Sequence, residues 1–208
     1  LELASGRLCG FEALLRWRNP DLGMVPPSEF IPIAEEAGMI VPIGHWLMRE
    51  ACRQAQAWAG YGPHVTMAIN VSPLQFRQPE FVQQVETAIR DARVDPARIE
   101  LEVTESILID QFELAVQRLR RLDEMGVRTA LDDFGTGYSS LAYLQKLPIR
   151  SLKIDRSFVR ELVLGPSGVV GDALPIVEAI AAMGLKLGKT VVAEGVETEA
   201  QARYLHRI

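Results

Sequence analysis

The stretch Val127-Arg128-Thr129-Ala130-Leu131-Asp132-Asp133-Phe134-Gly135 is a short, mostly apolar run that ends in two adjacent carboxylates and a glycine. Neighbouring carboxylates repel and raise one another's pKa unless cations separate them, so the pair suits a site where one carboxylate bridges two metal ions. The alternative is a merely polar turn. A kinase-like reading of Asp133-Phe134-Gly135 fails, because no Gly-rich phosphate loop or His-Arg-Asp catalytic loop accompanies it.

Five other runs share this form: CGFEALLRW (9–17), VTMAINVS (65–72), RIELEVTES (98–106), RSLKID (150–155) and KTVVAEGVE (189–197). Each reads as a strand with a polar residue at or near its end, and helical periodicity fills the intervals at 28–38, 43–59, 79–92, 108–125, 174–187 and 197–205. Strands that alternate with helices make a parallel sheet, and a closed ring of them gathers its functional residues at the strand C-termini. An open doubly wound sheet would place its ligand at one crevice, whereas here nearly every strand contributes an acid or amide. The expected fold is therefore α/β, a modified (βα)8 TIM-like barrel. Six strands are clear, and Leu1–Ala4 is read as a partial one that turns at Ser5-Gly6, which predicts an antiparallel first strand. A last strand is expected after residue 208, and the chain reads as an excerpt of a longer protein, with 1–208 forming one domain. The segment 164–168 is expected to be an exposed loop, and Gly126 to stop the helix before it.

With 27 acidic and 22 basic residues the net charge is -5, which argues against a protein that grips DNA through a basic face. An acidic pocket filled with divalent cations would still attract a phosphorylated ligand. Cys9 and Cys52 have no metal-ligand spacing and read as free thiols in a reducing cytoplasm. No run of roughly 18 or more uncharged apolar residues is present.

The candidate oxygen donors are Glu12, Asn70, Glu102, Asp132, Asp133 and Glu194, with Lys153 at the same place on its strand. Glu100 and Glu102 fall on one face, and Glu102 is the one assigned to metal, while Glu105 is read as bonding a neighbouring loop. Glu12, Leu14 and Arg16 share a strand face. Each has an ordinary alternative: a surface pair for Glu12 and Arg16, a cap for Asn70, an ion pair with Asp132 or Asp155 for Lys153, and a helix-dipole partner for Glu197.

EALLRW, NVSPLQF, LEVTES, DDFGTGYSSL, LKID and VVAEGVETEAQ, in this order, make the chain resemble the EAL-domain family of bacterial cyclic di-GMP phosphodiesterases. The resemblance implies two Mg2+ or Mn2+ ions and hydrolysis of the cyclic dinucleotide to linear pGpG. It assigns Glu12, Asn70, Glu102 and Asp132 to a first metal, and Asp132, Asp133 and Glu194 to a second. Lys153 would hold the attacking water, Glu194 would serve as ligand or base, and Glu105 would steady the loop after Asp133. Leu14, Arg16, Gln75 and Glu197 would contact substrate. The resemblance further implies a homodimer through 134–147 and a bacterial cytoplasmic domain whose parent carries regulatory domains and is in some cases membrane-attached. The family's first strand carries Tyr-Gln-Pro and its last carries Gln-Gly-Tyr, and both would fall outside 1–208. Two other readings stand beside the phosphodiesterase: a catalytically silent cyclic di-GMP receptor, and a metal-dependent barrel lyase or enolase-like enzyme.

Overall fold

The structure is a computed structural model that describes residues 1–62, 64–108, 111–135, 144–165, 168–170 and 173–208. Its centre is a six-stranded sheet in the order β1 (Gly10–Ala13), β4 (Thr66–Val71), β5 (Ile99–Thr104), β6 (Arg128–Phe134), β7 (Ser151–Ile154), β10 (Thr190–Ala193), strands being numbered in chain order. All five pairings are parallel. The sheet is curled, half of a barrel wall.

One residue set of each strand packs outward under the helices. Ile99, Leu101 and Val103 on β5, and Leu131 on β6, are sealed in the core with Leu119 and Leu122 of the helix Phe112–Glu124. The alternate set, Glu100, Glu102 and Asp132, faces the interior of the curl, which accounts for near-continuous burial along these strands. Glu100, the second acid on the face of Glu102, accepts a hydrogen bond from Ser151 Oγ at 2.9 Å, one layer below Glu102.

The helix ends follow local chemistry. Pro27 opens the helix Pro27–Glu36, where its missing N–H costs nothing. Gly126, at φ 88°, ends the helix Phe112–Glu124. Its N–H donates to Asp123 O and that of Val127 donates to Leu122 O, the paired bonds of a Schellman stop. The helix Ile40–Ala57 buries Leu47, Ala51 and Ala55, and also Gly44, Met48 and Cys52, whose thiol burial pushes up to about 12.

Three expectations differ from the structure. Leu1–Ala4 is not a strand: Glu2 and Gly6–Arg7 close on each other through backbone bonds as a turn, and β1 pairs parallel with β4, so no antiparallel first strand exists among the described residues. The run 9–17 divides, because Leu14–Arg16 leaves the sheet before an antiparallel hairpin of β2 (Trp17–Asn19) and β3 (Gly23–Val25). The stretch expected as a loop holds a second hairpin, β8 (Val163–Gly165) with β9 (Gly168–Val170). No helix among the described residues is long and apolar enough to cross a membrane. Most of 134–147, the expected dimer region, lies outside the described residues.

Candidate active site

The C-terminal ends of the six strands bring the predicted polar residues to one mouth. Lys153 is the hub: its Nζ lies 2.7 Å from Glu102 Oε2, 3.2 Å from Asp132 Oδ1 and 2.5 Å from Glu194 Oε1. Glu102 is on β5, Asp132 on β6 and Lys153 on β7, while Glu194 directly follows β10 and is held by its N–H to Ile154 O at 3.1 Å. On the other side, Asn70 at the end of β4 donates Nδ2–H to Glu12 Oε1 of β1 at 2.7 Å, which leaves the amide oxygen for other partners.

The adjacent acids reach the same mouth because the strand is irregular there. Leu131 of β6 stands opposite Leu152, but Phe134 stands opposite Ile154, so three steps on β6 match two on β7. Asp133 takes up the extra residue in a left-handed conformation at φ 53°. Strict alternation would send Asp132 and Asp133 to opposite faces, and the bulge re-aims the second. The Asp133 carboxyl meets that of Asp155, and one proton between them suits both.

The electrostatics are one-sided. Burial, reinforced by Asp132 and Glu12 and opposed by Lys153, pushes the Glu102 carboxyl up to about 7. Burial, then Asp132, Asp155 and Glu194, raises Asp133 to about 6. Burial also raises Glu194 against the pull of Lys153. Burial disfavours the charged form of Lys153, yet the charges of Glu102 and Asp132 and the close contacts of Glu102 and Glu194 hold it above its ordinary value. Three carboxylates (Glu102, Asp132 and Glu194) thus share one ammonium, and Glu12 and Asp133 lie within electrostatic reach of these acids. Glu102 Oε2 and Lys153 Nζ are buried with no bond of hydrogen-bond geometry and meet only as ions. Among the described residues, no three Asp, Glu, His or Cys side chains already stand as a metal-ligand set. The centre of the cluster is the lysine. The donors are hard oxygens, which fit Mg2+ or Mn2+ rather than a thiophilic metal.

The remaining predicted residues divide. Glu105 Oε1 accepts the N–H of Gly135 at 3.3 Å and so touches the loop after Asp133. Leu14 and Arg16 are exposed beyond β1, with the guanidinium on Leu15 O at 2.8 Å rather than on Glu12. Glu197 is exposed, 3.7 Å from Arg160. Gln75 is the exception. It is 3% exposed, in the short helix Pro73–Phe76, and its side chain lies against Gly44, where an added Cβ would come within 2.2 Å of Oε1. Its amide is therefore packed beneath the helix Ile40–Ala57, and direct contact with a ligand at the mouth is not available to it in this conformation. Asp155 is the partner that strand reasoning missed. The signal was Asp155-Arg156-Ser157: Asp155 caps the helix Arg156–Arg160 through Ser157 N–H, which turns its carboxyl toward Asp133.

Residues 1–208 match the EAL domain family. The bifunctional diguanylate cyclase/cyclic di-GMP phosphodiesterase MucR of Pseudomonas aeruginosa is 45% identical over 206 residues, 98% of this chain and 29% of that protein. The cyclic di-GMP phosphodiesterase PA2567 of the same species is 39% identical over 95% of this chain and 33% of its own length. A solved PaMucR phosphodiesterase in complex with c-di-GMP superposes with a TM-score of 0.88 at 45% identity, covering 96% of this chain and 79% of that one. The EAL enzyme Bd1971 in its cGMP-bound form gives 0.89 at 34% identity, over 99% of this chain and 56% of that one. The chain spans about a quarter to a third of the length of curated relatives such as these. With the family matched from end to end and relatives this similar, the chain belongs to the EAL domain family.

Proposed function

We propose that this domain hydrolyses cyclic di-GMP to linear pGpG with two divalent cations, Mg2+ or Mn2+. The observation that carries the reading is the excess of carboxylates over the single buried ammonium of Lys153. A cluster so unbalanced needs further positive charge to ionise fully, and strand-end acids have no use in a core. Glu12, Asn70, Glu102 and Asp132 would hold one cation, and Asp132, Asp133 and Glu194 the other. Such cations lower the pKa of a water and neutralise the non-bridging oxygens of a phosphate.

The chain's own residues do the rest. The Lys153 ammonium orients the attacking water and offsets charge on phosphorus-bound oxygen. Glu194, its carboxyl raised by burial, takes the proton the water loses. Arg16, unpaired with Glu12, is free to reach a phosphate, the exposed Leu14 offers an apolar face to a base, and Glu197 accepts hydrogen bonds from a base edge. Glu105 holds the backbone of the Asp133 loop. Sensory or cyclase domains elsewhere in the parent protein would regulate the site, and a second copy would pair through 134–147.

Purified domain incubated with Mn2+ and cyclic di-GMP should release pGpG, separated by ion-exchange chromatography, and Glu12→Ala should abolish release while the circular dichroism spectrum stays the same. Tight dinucleotide binding with no pGpG formed would make the domain a receptor instead.

A further inference from the structure

Two loops carry the reactive groups of the proposed site. The end of β7 carries Lys153 and leads through Asp155 into the helix Arg156–Arg160, and the segment after β10 carries Glu194 and Glu197 into the helix Glu199–Arg207. One buried side chain joins them. Gln201 is 7% exposed, and its Oε1 accepts the N–H groups of Glu197 (2.9 Å) and Thr198 (3.1 Å). Its Nε2 donates to the carbonyls of Val159 (3.0 Å) and Leu162 (3.2 Å). All four hydrogen-bonding positions of the amide are filled, two by the segment after β10 and two by the C-terminal end of the helix Arg156–Arg160.

Half of this is a capping box: the Thr198 hydroxyl accepts the N–H of Gln201 at 3.2 Å, and the Gln201 side chain returns to the backbone of Thr198. A glutamate would cap equally well. The other half, donation to two carbonyls at the end of a different helix, needs an amide. Nearby, Gly195 sits at φ 65°, and a Cβ there would come within 2.8 Å of Arg156 Cβ, so the two loops pack backbone to backbone. The Arg160–Glu197 pair on the outside is solvent-exposed and weak.

We infer that Gln201 is a positioning residue that fixes the Glu194–Glu197 segment against the helix Arg156–Arg160, which continues the Lys153–Asp155 segment, so that base, substrate contact and lysine keep one relative geometry. The inference deepens the phosphodiesterase reading and rests on it for its effect on turnover.

Gln201→Glu keeps the cap and opposes a carboxylate to the carbonyls of Val159 and Leu162, while Thr198→Ala removes half the cap and keeps the bridge. Misplacement by about 1 Å is enough to cost on the order of 100-fold in rate. Gln201→Glu should lower kcat/KM for cyclic di-GMP roughly 10- to 100-fold, and Thr198→Ala should lower the melting temperature without that loss. Amide hydrogen exchange should quicken in 156–162 and 194–198 of Gln201→Glu and stay at the wild-type rate elsewhere. Wild-type turnover in Gln201→Glu, or an equal loss of kcat/KM in Thr198→Ala, would overturn the inference. If the wild-type domain itself makes no pGpG, the phosphodiesterase reading fails separately, and unchanged exchange in those two segments would still refute the bridge.

Discussion

Asp133 donates its backbone N–H to Oδ1 of Asp132 at 3.0 Å, so the first acid of the pair helps to hold the second in its left-handed conformation. A bulge that aims two consecutive carboxylates at one mouth carries both backbone strain and charge repulsion. Asp133→Asn tolerates the same conformation, keeps a hydrogen-bonding side chain toward Asp155 and removes one charge. The metal-free variant should be more stable than wild type by about 0.5–1 kcal/mol in urea unfolding, with turnover lost.

Proton binding should dominate the stability of the metal-free domain. Glu102 at about 7 and Asp133 at about 6 lie above their ordinary carboxylate values of 4.5 and 3.8. The folded state keeps protons that the unfolded chain has released, so this contribution is complete at low pH and is lost as pH rises through 6 and 7. In EDTA, the urea midpoint should fall between pH 5 and pH 8. Saturating Mn2+ should flatten or reverse that fall, because cations compete with protons for the same oxygens.

Removing the ammonium should be severe. Lys153→Met leaves Glu102, Asp132 and Glu194 without their shared cation, and orphaning buried charges costs about 3–5 kcal/mol. Metal-free Lys153→Met should melt well below wild type, and lowering the pH toward 5 should restore part of the difference by protonating Glu102 and Glu194.

Gly44 gives the Gln75 amide its space. Gly44→Ala puts a methyl group 2.2 Å from Gln75 Oε1, an overpacking that costs about 1–3 kcal/mol. Adding Gln75→Ala should recover most of that loss, and a double-mutant cycle on melting free energies measures the coupling.

Glu105 touches the start of the Asp133 loop through a bond to Gly135 N–H. Glu105→Ala should cost only about 1 kcal/mol of stability while lowering pGpG formation well beyond that proportion. Parallel melting and turnover measurements separate the two effects.

Much of this architecture was legible in the sequence. The period-2 runs that end in Glu102, Asp132 and Lys153 set both the parallel sheet and the face that meets inside it, because alternation and strand ends are local properties. Gly126 announced its helix stop for the same reason. What escaped was relational. Alternation alone would have separated Asp132 from Asp133, and only the unequal step count against β7 turns them together. Gln75 entered as a substrate contact through the family resemblance alone, and its burial depends on the absence of a side chain at Gly44, thirty-one positions away in the chain. The hairpins β2–β3 and β8–β9 are three residues per strand, too short for periodicity to register.

The order of the sheet has a consequence for how the polypeptide assembles. From β4 onward each strand lies beside the one that precedes it in the sheet's own chain order, so no later strand must wedge between two already joined. Loop closures stay short, and a nascent chain leaving the ribosome can add one β-strand and its covering helix at a time to a growing template.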